Sequence, residues 1–316
     1  LMVLLEDLPS CSQYEVVVYD FSTDKEILSK NRAELALLHH IVYRECINEG
    51  LDYGFDILAK NSVGKYCWLL PDDDLVASNN ISLIMAILES EAPDFLLLNS
   101  DVWTSDHKTV IRDSMHNIDN EIEHIDINNF DKVAQTLSYV GACIFKTDQW
   151  IKYSSPSFYN SYFMHVFIFG KILSQGGRTL VTNLKGSHIR ANNALWTRQA
   201  FIIWTQKWPA ALHSIECIPN PVKDSIALSP AHNNLKYVLY YYAYGALSEK
   251  KAIQSMFTLR YKIFYIVLRA IPRKLVSYLV FFVIIVKNRK LVSEPAYYLL
   301  SSLDSRISAW LLKRYF

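Results

Sequence analysis

The sequence lacks several patterns that would each indicate a familiar chemistry. Its five cysteines lie far apart, without the paired spacing of a zinc site or a disulfide framework, and so indicate ordinary thiols of a reducing compartment. No glycine-rich phosphate loop, dinucleotide fingerprint or nucleophile elbow is present. His165 and His188 have no second histidine or cysteine at metal-ligand spacing. These absences argue against transition-metal sites, dinucleotide-binding proteins and hydrolases of the nucleophile-elbow type.

Acidic residues are nearly absent from the end of the chain. From Lys251 to Phe316 there are twelve Lys or Arg residues against two acids, Glu294 and Asp304, which gives this part a net charge of +10 and leaves −9 for the first 250 residues. An acidic body joined to a basic tail favours contact of the tail with an anionic surface.

The same tail is rich in apolar helical segments. Residues 275–286, LVSYLVFFVIIV, form a twelve-residue run without charge that has basic residues on both sides. Because about 20 residues are needed to span a bilayer, we expect a helix that lies in the plane of an anionic membrane surface. A core helix of a helical cap domain is the alternative. Nucleic acid is disfavoured as a partner because long aliphatic runs fit lipid better than a polynucleotide groove.

Residues 65–76, KYCWLLPDDDLV, combine an apolar run with three consecutive aspartates. The letters YCWLL predict a short strand buried on both faces, which Pro71 ends. Asp72, Asp73 and Asp74 repel one another at the exit of that strand unless a countercharge is present. A hard divalent cation, Mg²⁺ or Mn²⁺, is the natural partner, and it would in turn hold a diphosphate. An acidic turn that caps the next helix is the alternative.

Apolar runs and helical patterns alternate along the first 200 residues. We predict strands near residues 14–19, 66–70, 95–98, 139–145 and 178–182, and helices near residues 25–48, 55–61, 81–92, 130–137 and 158–173. Residues 104–128 are polar and predict a surface loop, and Gly141 lets another group approach its strand. The alternation predicts an α/β fold with a mostly parallel sheet flanked by helices, followed by an all-helical C-terminal region.

Three segments together resemble the successive nucleotide-sugar segments of the family 2 glycosyltransferases with the GT-A fold. They are YEVVVYDFSTDKE (14–26), GLDYGFDILAKNSVGKYCWLLPDDDLV (50–76) and YVGACIFKTDQW (139–150). The likeness covers about residues 1–200, its motifs are moderately specific together, and it points to the abequosyltransferase-like bacterial enzymes that build O-antigen and capsule repeat units. It implies a GT-A-like sheet and transfer of a sugar from a nucleotide donor.

The resemblance also implies roles for particular residues. In that family the acid that closes the second strand contacts the nucleoside, the acid of a Gly-x-Asp segment lies nearby, and an aspartate cluster holds a divalent ion on the diphosphate. Nucleotide-sugar contacts are therefore implied for Asp20, Ser22, Asp24, Asp52, Asp72 and Asp73, and metal ligation for Asp72, Asp73 and Asp74.

A polar loop near residues 187–196 lies where family members often carry an Arg-x-x-Asn-like segment over the active site. Arg190 would bridge to the diphosphate, Trp196 would stack on a sugar, and Asn193 belongs to the same segment. The alternative for each is a packed or surface loop residue.

Two features of that family are missing from the sequence. Residues 1–5 have the apolar spacing of the middle of a helix with no capping residue ahead, so we expect an upstream element that contains the family's first strand. Residues 157–165, where a carboxylate base is expected, contain no acid. His165 is our candidate base because the pKa of histidine lies near neutrality, although a packed structural histidine is the alternative. Asp101 after a strand end and Asp148 at a helix start are its rivals.

The sequence therefore predicts a metal-dependent, inverting glycosyltransferase of bacterial surface polysaccharide synthesis. Residues 1–215 would form the nucleotide-sugar and acceptor domain, and residues 216–316 a basic, membrane-associating region. The expected partners are a nucleotide-sugar donor, a lipid-linked glycan acceptor and the cytoplasmic face of the inner membrane, with the protein peripheral or monotopic. A non-catalytic scaffold of a polysaccharide assembly complex stays open. So does a nucleotidylyltransferase, which would need the phosphate loop that the sequence lacks.

Overall fold

The computed structural model describes residues 13–38, 41–191, 199–227, 235–247, 259–288, 293–303 and 305–316. It divides into two compact units that alternate along the chain. Unit 1 comprises Leu1–Ser100, His116–Ser187 and Ala211–Pro219, and unit 2 comprises Asp101–Met115, His188–Ala210 and Asn220–Phe316. The functional boundary predicted after residue 215 stays a prediction, and the helix pattern of residues 1–5 lies outside the described residues.

Among the described residues, helices and strands alternate up to residue 190, and helices alone follow. The elements in chain order are β1 (Val16–Asp20), α1 (Lys25–Leu35), β2 (Ile41–Glu45), α2 (Leu51–Asn61), β3 (Tyr66–Trp68), β4 (Leu75–Val76), α3 (Ile81–Glu91), β5 (Phe95–Trp103), β6 (Val110–Arg112), β7 (Ile122–His124), α4 (Phe130–Leu137), β8 (Cys143–Lys146), α5 (Thr147–Tyr153), α6 (Met164–Ser174), β9 (Thr179–Arg190), α7 (Ala200–Ile202), a π-helical segment (Ile203–Lys207), α8 (Trp208–His213), α9 (Asn220–Ile226), α10 (Leu235–Tyr244), α11 (Leu259–Arg269), α12 (Arg273–Asn288), α13 (Glu294–Ser301) and α14 (Arg306–Tyr315).

The main sheet has the strand order β3-β8-β5-β9-β4, with β6 paired to β5 and β7 paired to β9. Strand β8 runs antiparallel to both β3 and β5, and β7 runs antiparallel to β9. Strands β1 and β2 form a separate parallel pair. The α/β class is confirmed, and the sheet is mixed where the sequence predicted a mostly parallel one. Alternation of strands and helices makes neighbouring strands parallel only when each helix leads back to the adjacent strand. Strands β3 and β8 are adjacent in the sheet but lie far apart in the sequence, with β4 to β7 between them.

The core of unit 1 is built around β5. Its first four residues, Phe95 to Leu98, are completely buried, as the continuous apolar run predicted. The ring of Phe95 packs against Phe145 on β8 and Phe169 on α6 with centroid distances of 4.9 and 4.7 Å. This packing fixes β5 and β8 relative to each other, so the loops at their ends begin at fixed positions.

Two predictions of local structure were wrong. The helix predicted over residues 25–48 ends at Leu35, and residues 41–45 form β2 beside β1. The letters IVY are β-branched and aromatic, and pairing with β1 outweighs the helical spacing of the neighbouring leucines. Residues 104–128, predicted as loop, contain β6 and β7, which are three-residue strands at the margins of the sheet.

Unit 2 is mainly helical beyond residue 219, as predicted. One of its apolar clusters brings together α10, α11, α12 and α13 through Ala243, Leu268, Val276 and Leu299. In the described parts of the chain, no helix is both long enough and apolar enough to cross a membrane.

Candidate functional site

The acidic loop, Asp72 to Asp74, begins four residues after the end of β3 in unit 1. The three carboxylates differ in environment, because Asp72 is exposed, Asp73 is half-buried and Asp74 is only 6% exposed. Asp74 accepts a hydrogen bond of 2.8 Å from the hydroxyl of Tyr139. The loop is therefore fixed at its last residue and accessible at its first two.

A chain of hydroxyl groups holds Tyr139 in turn. Tyr139 also hydrogen-bonds Ser187 on β9, and the Ser187 hydroxyl lies 2.9 Å from that of Ser100 on β5. Burial, reinforced by the negative charge of Asp74, raises the pKa of Tyr139 well above its ordinary value. Tyr139 therefore stays protonated and donates to Asp74, so the acidic loop is tied to two central strands.

Gly141 makes room for this tyrosine. A Cβ atom at position 141 would lie 2.2 Å from the Tyr139 hydroxyl oxygen, so only glycine leaves space for the ring. The carbonyl of Gly141 accepts a 2.8 Å bond from the Trp68 indole on β3. The predicted close approach to the Gly141 backbone is confirmed, and the approaching group is the chain's own Tyr139 ring.

The predicted three-carboxylate metal site is revised by this geometry. Among the described residues, no three His, Cys, Asp or Glu side chains converge as metal ligands. Asp72, Asp73 and Asp74 are not arranged as three ligands of one ion in this structure, since Asp74 turns into the protein toward Tyr139. Mg²⁺ is commonly held by one or two carboxylates, with substrate phosphates and water completing its shell. The two accessible carboxylates fit that kind of site.

Asp20 closes β1, as predicted, and is 8% exposed. One oxygen accepts from the backbone N–H of Ser22 (2.9 Å), and the other accepts from Asn31 (2.7 Å) and Tyr43 (3.0 Å). Burial pushes the pKa of Asp20 upward, but these hydrogen bonds outweigh it and the net pKa is lowered. The Ser22 side chain also hydrogen-bonds Asp20, so the protein's own donors largely satisfy this carboxylate, and its contact with a nucleoside stays a prediction.

Asp24 has a local structural role. It is the N-cap of α1, and its carboxylate accepts from the backbone N–H groups of Glu26 (2.8 Å) and Ile27. A capping carboxylate stabilises the helix start, which accounts for Asp24 without a ligand. The nucleotide contacts implied for Asp24 and Ser22 stay predictions.

Asp52 is a buried structural carboxylate rather than a nucleotide contact. It lies in the first turn of α2, is 2% exposed, and accepts from the backbone N–H groups of Tyr162 (2.9 Å) and Met164 (3.2 Å) and from the Ser161 hydroxyl. Burial raises the pKa of Asp52, and the hydrogen bonds offset this only in part. The prediction is corrected because the protein's own donors satisfy this carboxylate.

The same helix carries a second buried acid that the sequence did not single out. Asp56, one turn after Asp52, accepts from Tyr159 (2.7 Å), Trp150 (3.1 Å) and Lys60 (2.8 Å). Asp52 and Asp56 together hold residues 159–164, where Asn160 and Tyr162 have the left-handed backbone that glycine prefers, with φ of 63° and 67°. The i, i+4 spacing of these acids on a helix was the available signal.

His165 is a core residue, so its prediction as a general base is wrong. It lies in the first turn of α6 and is 2% exposed. Its Nε2 donates to the carbonyl of Leu137 at 3.0 Å, and its Nδ1 is buried without a hydrogen-bond partner. Burial lowers the pKa of His165 to about 4. A base enclosed in this way has no path to an acceptor hydroxyl.

Asp148 lies at the wrong end of the sheet for a role beside the acidic loop. In the antiparallel pair, Lys146 on β8 is opposite Tyr66 at the start of β3, whereas the acidic loop follows the end of β3. Asp148 comes two residues after Lys146, is exposed, and pairs with that lysine at 3.6 Å. Its prediction as a base is therefore corrected to an exposed ion-pair partner.

Asp101 is part of a polar dyad in unit 2. It is 2% exposed and accepts from the Trp103 indole at 2.8 Å and from Nδ1 of His188 at 2.7 Å. Because an ionised carboxylate only accepts, Nδ1 of His188 carries the proton of this hydrogen bond, and Nε2 is the other nitrogen of the ring. The side chain of His188 is 29% exposed, against 4% for that of Asp101. The sequence thus pointed to Asp101 and did not indicate its hydrogen-bond partner, His188.

His107 of unit 2 lies within electrostatic range of Arg190 and His188. Its pKa is lowered by burial and further by the positive charge of Arg190. Arg190, predicted to bridge to a diphosphate, thus lies near His107, a group that the sequence did not indicate. Asn193 and Trp196, predicted in the same segment, lie outside the described residues.

Comparison with known proteins supports the resemblance that the motifs indicated. No family model matches the chain. The chain is similar to the abequosyltransferase RfbV of Salmonella typhimurium strain LT2, with 24% identity over 148 residues that make up 43% of this chain and 44% of that protein. The chain thus spans less than half the length of this curated relative. The predicted likeness to an abequosyltransferase is confirmed.

Solved structures were also compared. Residues 1–349 of S. aureus TarS in complex with UDP align with a TM-score of 0.49 and 14% identity, covering 85% of this chain and 82% of that one. The same fragment in complex with UDP-GlcNAc aligns with a TM-score of 0.47 and 12% identity, covering 96% and 85%. At TM-scores below 0.5, neither alignment by itself establishes a shared fold.

Proposed function

We propose that this protein is a glycosyltransferase that moves a sugar from a nucleotide-sugar donor to a glycan acceptor in bacterial surface polysaccharide synthesis. The acidic loop is the observation that carries the proposal. Asp72 and Asp73 remain accessible after a buried strand, while Tyr139 holds Asp74 in place. Similarity to an abequosyltransferase supports the same chemistry. Two carboxylates on a loop that a rigid sheet holds in place can bind a cation, and that cation can bind a diphosphate group.

Mg²⁺ or Mn²⁺ fits the donor set of the acidic loop. Asp72 and Asp73 would hold the ion with hard carboxylate oxygens, and Asp74 would position the loop through Tyr139. When bound, such an ion acts as a Lewis acid that stabilises the negative charge of the departing diphosphate. In this proposal Asp20 contacts the nucleoside and the Arg190 guanidinium pairs with phosphate oxygens.

We propose an inverting single displacement. The acceptor oxygen bonds to the anomeric carbon while the bond from that carbon to the diphosphate oxygen breaks. The electron pair leaves with the diphosphate, and the acceptor proton passes to a general base. Within unit 2, taken by itself, His188 is the group whose chemistry suits such a base. Asp101 orients the ring through Nδ1 and stabilises the imidazolium, so it is a positioning residue.

Substitution at position 188 tests this assignment. Asn in place of His188 keeps a donor for Asp101 but has no basic nitrogen, so we expect kcat to fall by roughly 10²–10⁴-fold with little change in KM for the donor. D101N should cause a smaller loss. Wild-type turnover in H188N would contradict the assignment. So would a loss that excess Mn²⁺ restores, since that result would make His188 a metal ligand.

The acceptor is proposed to be a lipid-linked glycan at the cytoplasmic face of the inner membrane. The experiment incubates the full chain with UDP-, GDP-, CDP- and dTDP-sugars, with Mg²⁺, Mn²⁺ or chelator, and measures donor hydrolysis and binding by calorimetry. We expect metal-dependent turnover of sugars on one base. Failure to bind any donor would refute the proposal. Pyrophosphate release from a nucleoside triphosphate would instead indicate a nucleotidylyltransferase, and lipid binding without nucleotide binding a scaffold.

A further inference from the structure

Two successive helices of unit 2 leave large apolar side chains exposed. On α11 these are Ile263, Ile266 and Val267, and on α12 they are Leu275, Leu279, Phe282, Val283 and Val286, each more than half exposed. The spacings of three, four and seven residues place each set on one side of its helix. We call these eight residues the apolar stripe. Clustered exposed apolar side chains of this kind mark an interaction site.

The other sides of both helices are buried against one cluster. Leu268 of α11 and Val276 and Phe281 of α12 pack in the cluster that also contains Leu299 of α13. The Ser277 hydroxyl, completely buried, donates to the carbonyl of Ala243 at 2.7 Å. Because both helices bury their opposite sides in the same cluster, the apolar stripe points away from the core of unit 2. One apolar side is used by the protein and the other is left for a partner.

The charges beside the stripe identify the partner. Residues 259–288 contain six Lys or Arg residues and no acid. Arg269 and Lys274 are exposed at the junction of the two helices. A second copy of this chain would bring the same positive charge to the contact, which opposes self-association. An anionic lipid surface offers both the negative headgroups that basic side chains reach and the apolar layer that the stripe requires.

We propose that the apolar stripe of α11 and α12 inserts into the headgroup region of an anionic bilayer, with both helices lying in the membrane plane. An apolar face, with basic residues beside it, is the arrangement of an interfacial helix. Phe282, with 67% of its surface exposed, is the largest side chain of the stripe. The inference does not depend on the proposed sugar transfer, because it concerns lipid binding alone.

Vesicle flotation of the full chain tests the inference. With vesicles of phosphatidylcholine and phosphatidylglycerol we expect the protein to float. With pure phosphatidylcholine, binding should be much weaker. In L279E/F282E, two charges in the stripe should reduce binding by about tenfold or more because they must enter the apolar layer. In R269Q/K274Q, binding to anionic vesicles should fall by about 25-fold, and high salt should weaken binding of the wild type.

A matched control separates insertion from general solubility. Leu83 on α3 of unit 1 is 56% exposed, close to the 59% of Leu279. L83E should bind vesicles like the wild type, and thermal melts should confirm that all variants are folded. Two results would overturn the inference. One is a wild-type protein that stays in the bottom fraction of the gradient or that binds neutral and anionic vesicles equally. The other is a self-associating protein, by light scattering, that L279E/F282E converts to a monomer without any change in lipid binding.

Discussion

Two acid-bearing regions of unit 1 differ in what their carboxylates do. On α2, Asp52 and Asp56 are almost completely buried, and the protein's own donors satisfy them. In the acidic loop, Asp74 is anchored by Tyr139, while Asp72 and Asp73 remain accessible. Burying a carboxylate is costly without hydrogen bonds, so the first arrangement stabilises the fold. The second arrangement buries one carboxylate, which fixes the loop, and keeps the other two accessible from outside.

The comparison extends to the histidines. His165, beside the segment that Asp52 holds, is enclosed in the core with a lowered pKa, whereas His188 keeps part of its ring exposed and is oriented by Asp101. Each comparison involves one residue type, and the members differ in burial and hydrogen bonding. The variants below therefore test whether the buried members affect stability and the accessible members affect activity.

The largest expected effect is on turnover, in D73N. Replacing an accessible carboxylate of the acidic loop by an amide removes a hard, charged metal ligand. We expect kcat to fall about 100-fold or more, because metal stabilisation of a leaving group is worth several kcal/mol. The free energy of unfolding should change little, since the substitution relieves repulsion among neighbouring carboxylates. Donor turnover and urea unfolding measure the two quantities.

D148N is the matched control for D73N. Asp148 is an exposed acid of the same chain that the structure places at the opposite end of β3. We expect D148N to keep wild-type turnover. Equal losses in D73N and D148N would remove the distinction between the acidic loop and the remaining exposed acids.

The next effect is on stability, in D52N. An amide at this buried position loses the charge that accepts from Tyr162 and Met164 and turns an NH₂ group toward backbone donors. We expect the free energy of unfolding to fall by about 3 kcal/mol, with turnover per folded molecule nearly unchanged. The exposed D131N on α4 should change stability by less than about 0.5 kcal/mol. A D52N protein that is as stable as the wild type but inactive would instead support the predicted nucleotide contact of Asp52.

The smallest effect is on the pH dependence of stability, in H165L. The pKa of His165 is about 4 in the folded protein against an ordinary 6.5. At a pH between these two pKa values, His165 binds a proton in the unfolded chain but not in the folded protein. The stability that this difference provides is fully present above the pKa of the unfolded chain and is lost as the pH falls toward the pKa of the folded protein. By about pH 5 this costs about 2 kcal/mol.

H165L should therefore show a flatter loss of stability between about pH 7 and about pH 5 than the wild type, although it is less stable at both. Urea midpoints at the two pH values give the comparison. Parallel losses in both proteins would show that His165 does not titrate as a buried residue, and would reopen its assignment.

Several structural features followed from local sequence. The apolar run of residues 95–98 became the most buried part of β5. Two prolines, which disfavour helix interiors, lie at helix boundaries: Pro93 shortly after the end of α3 and Pro272 just before the start of α12. The likeness to abequosyltransferases came from three spaced segments and is confirmed by the curated relative. Such features depend on neighbouring residues, which the sequence shows directly.

Other features depended on contacts between distant residues. Residues 41–45 carried a helical pattern but pair with β1, and the dyad joins Asp101 and His188 across 87 positions. Asp52 matched a family motif but is satisfied by residues more than a hundred positions away. Neither spacing nor propensity contains this information, because it arises when strands pair and side chains compete for buried donors.

By itself, the amino-acid sequence determined the alternation of strands and helices, the three aspartates after an apolar run, and the basic apolar tail. Tertiary structure decided which carboxylates are buried, which imidazole is enclosed, and which sides of α11 and α12 face outward. The physical reason is that the cost of burying a charge or exposing an apolar group depends on the surroundings of each group. Those surroundings exist only once the chain has folded.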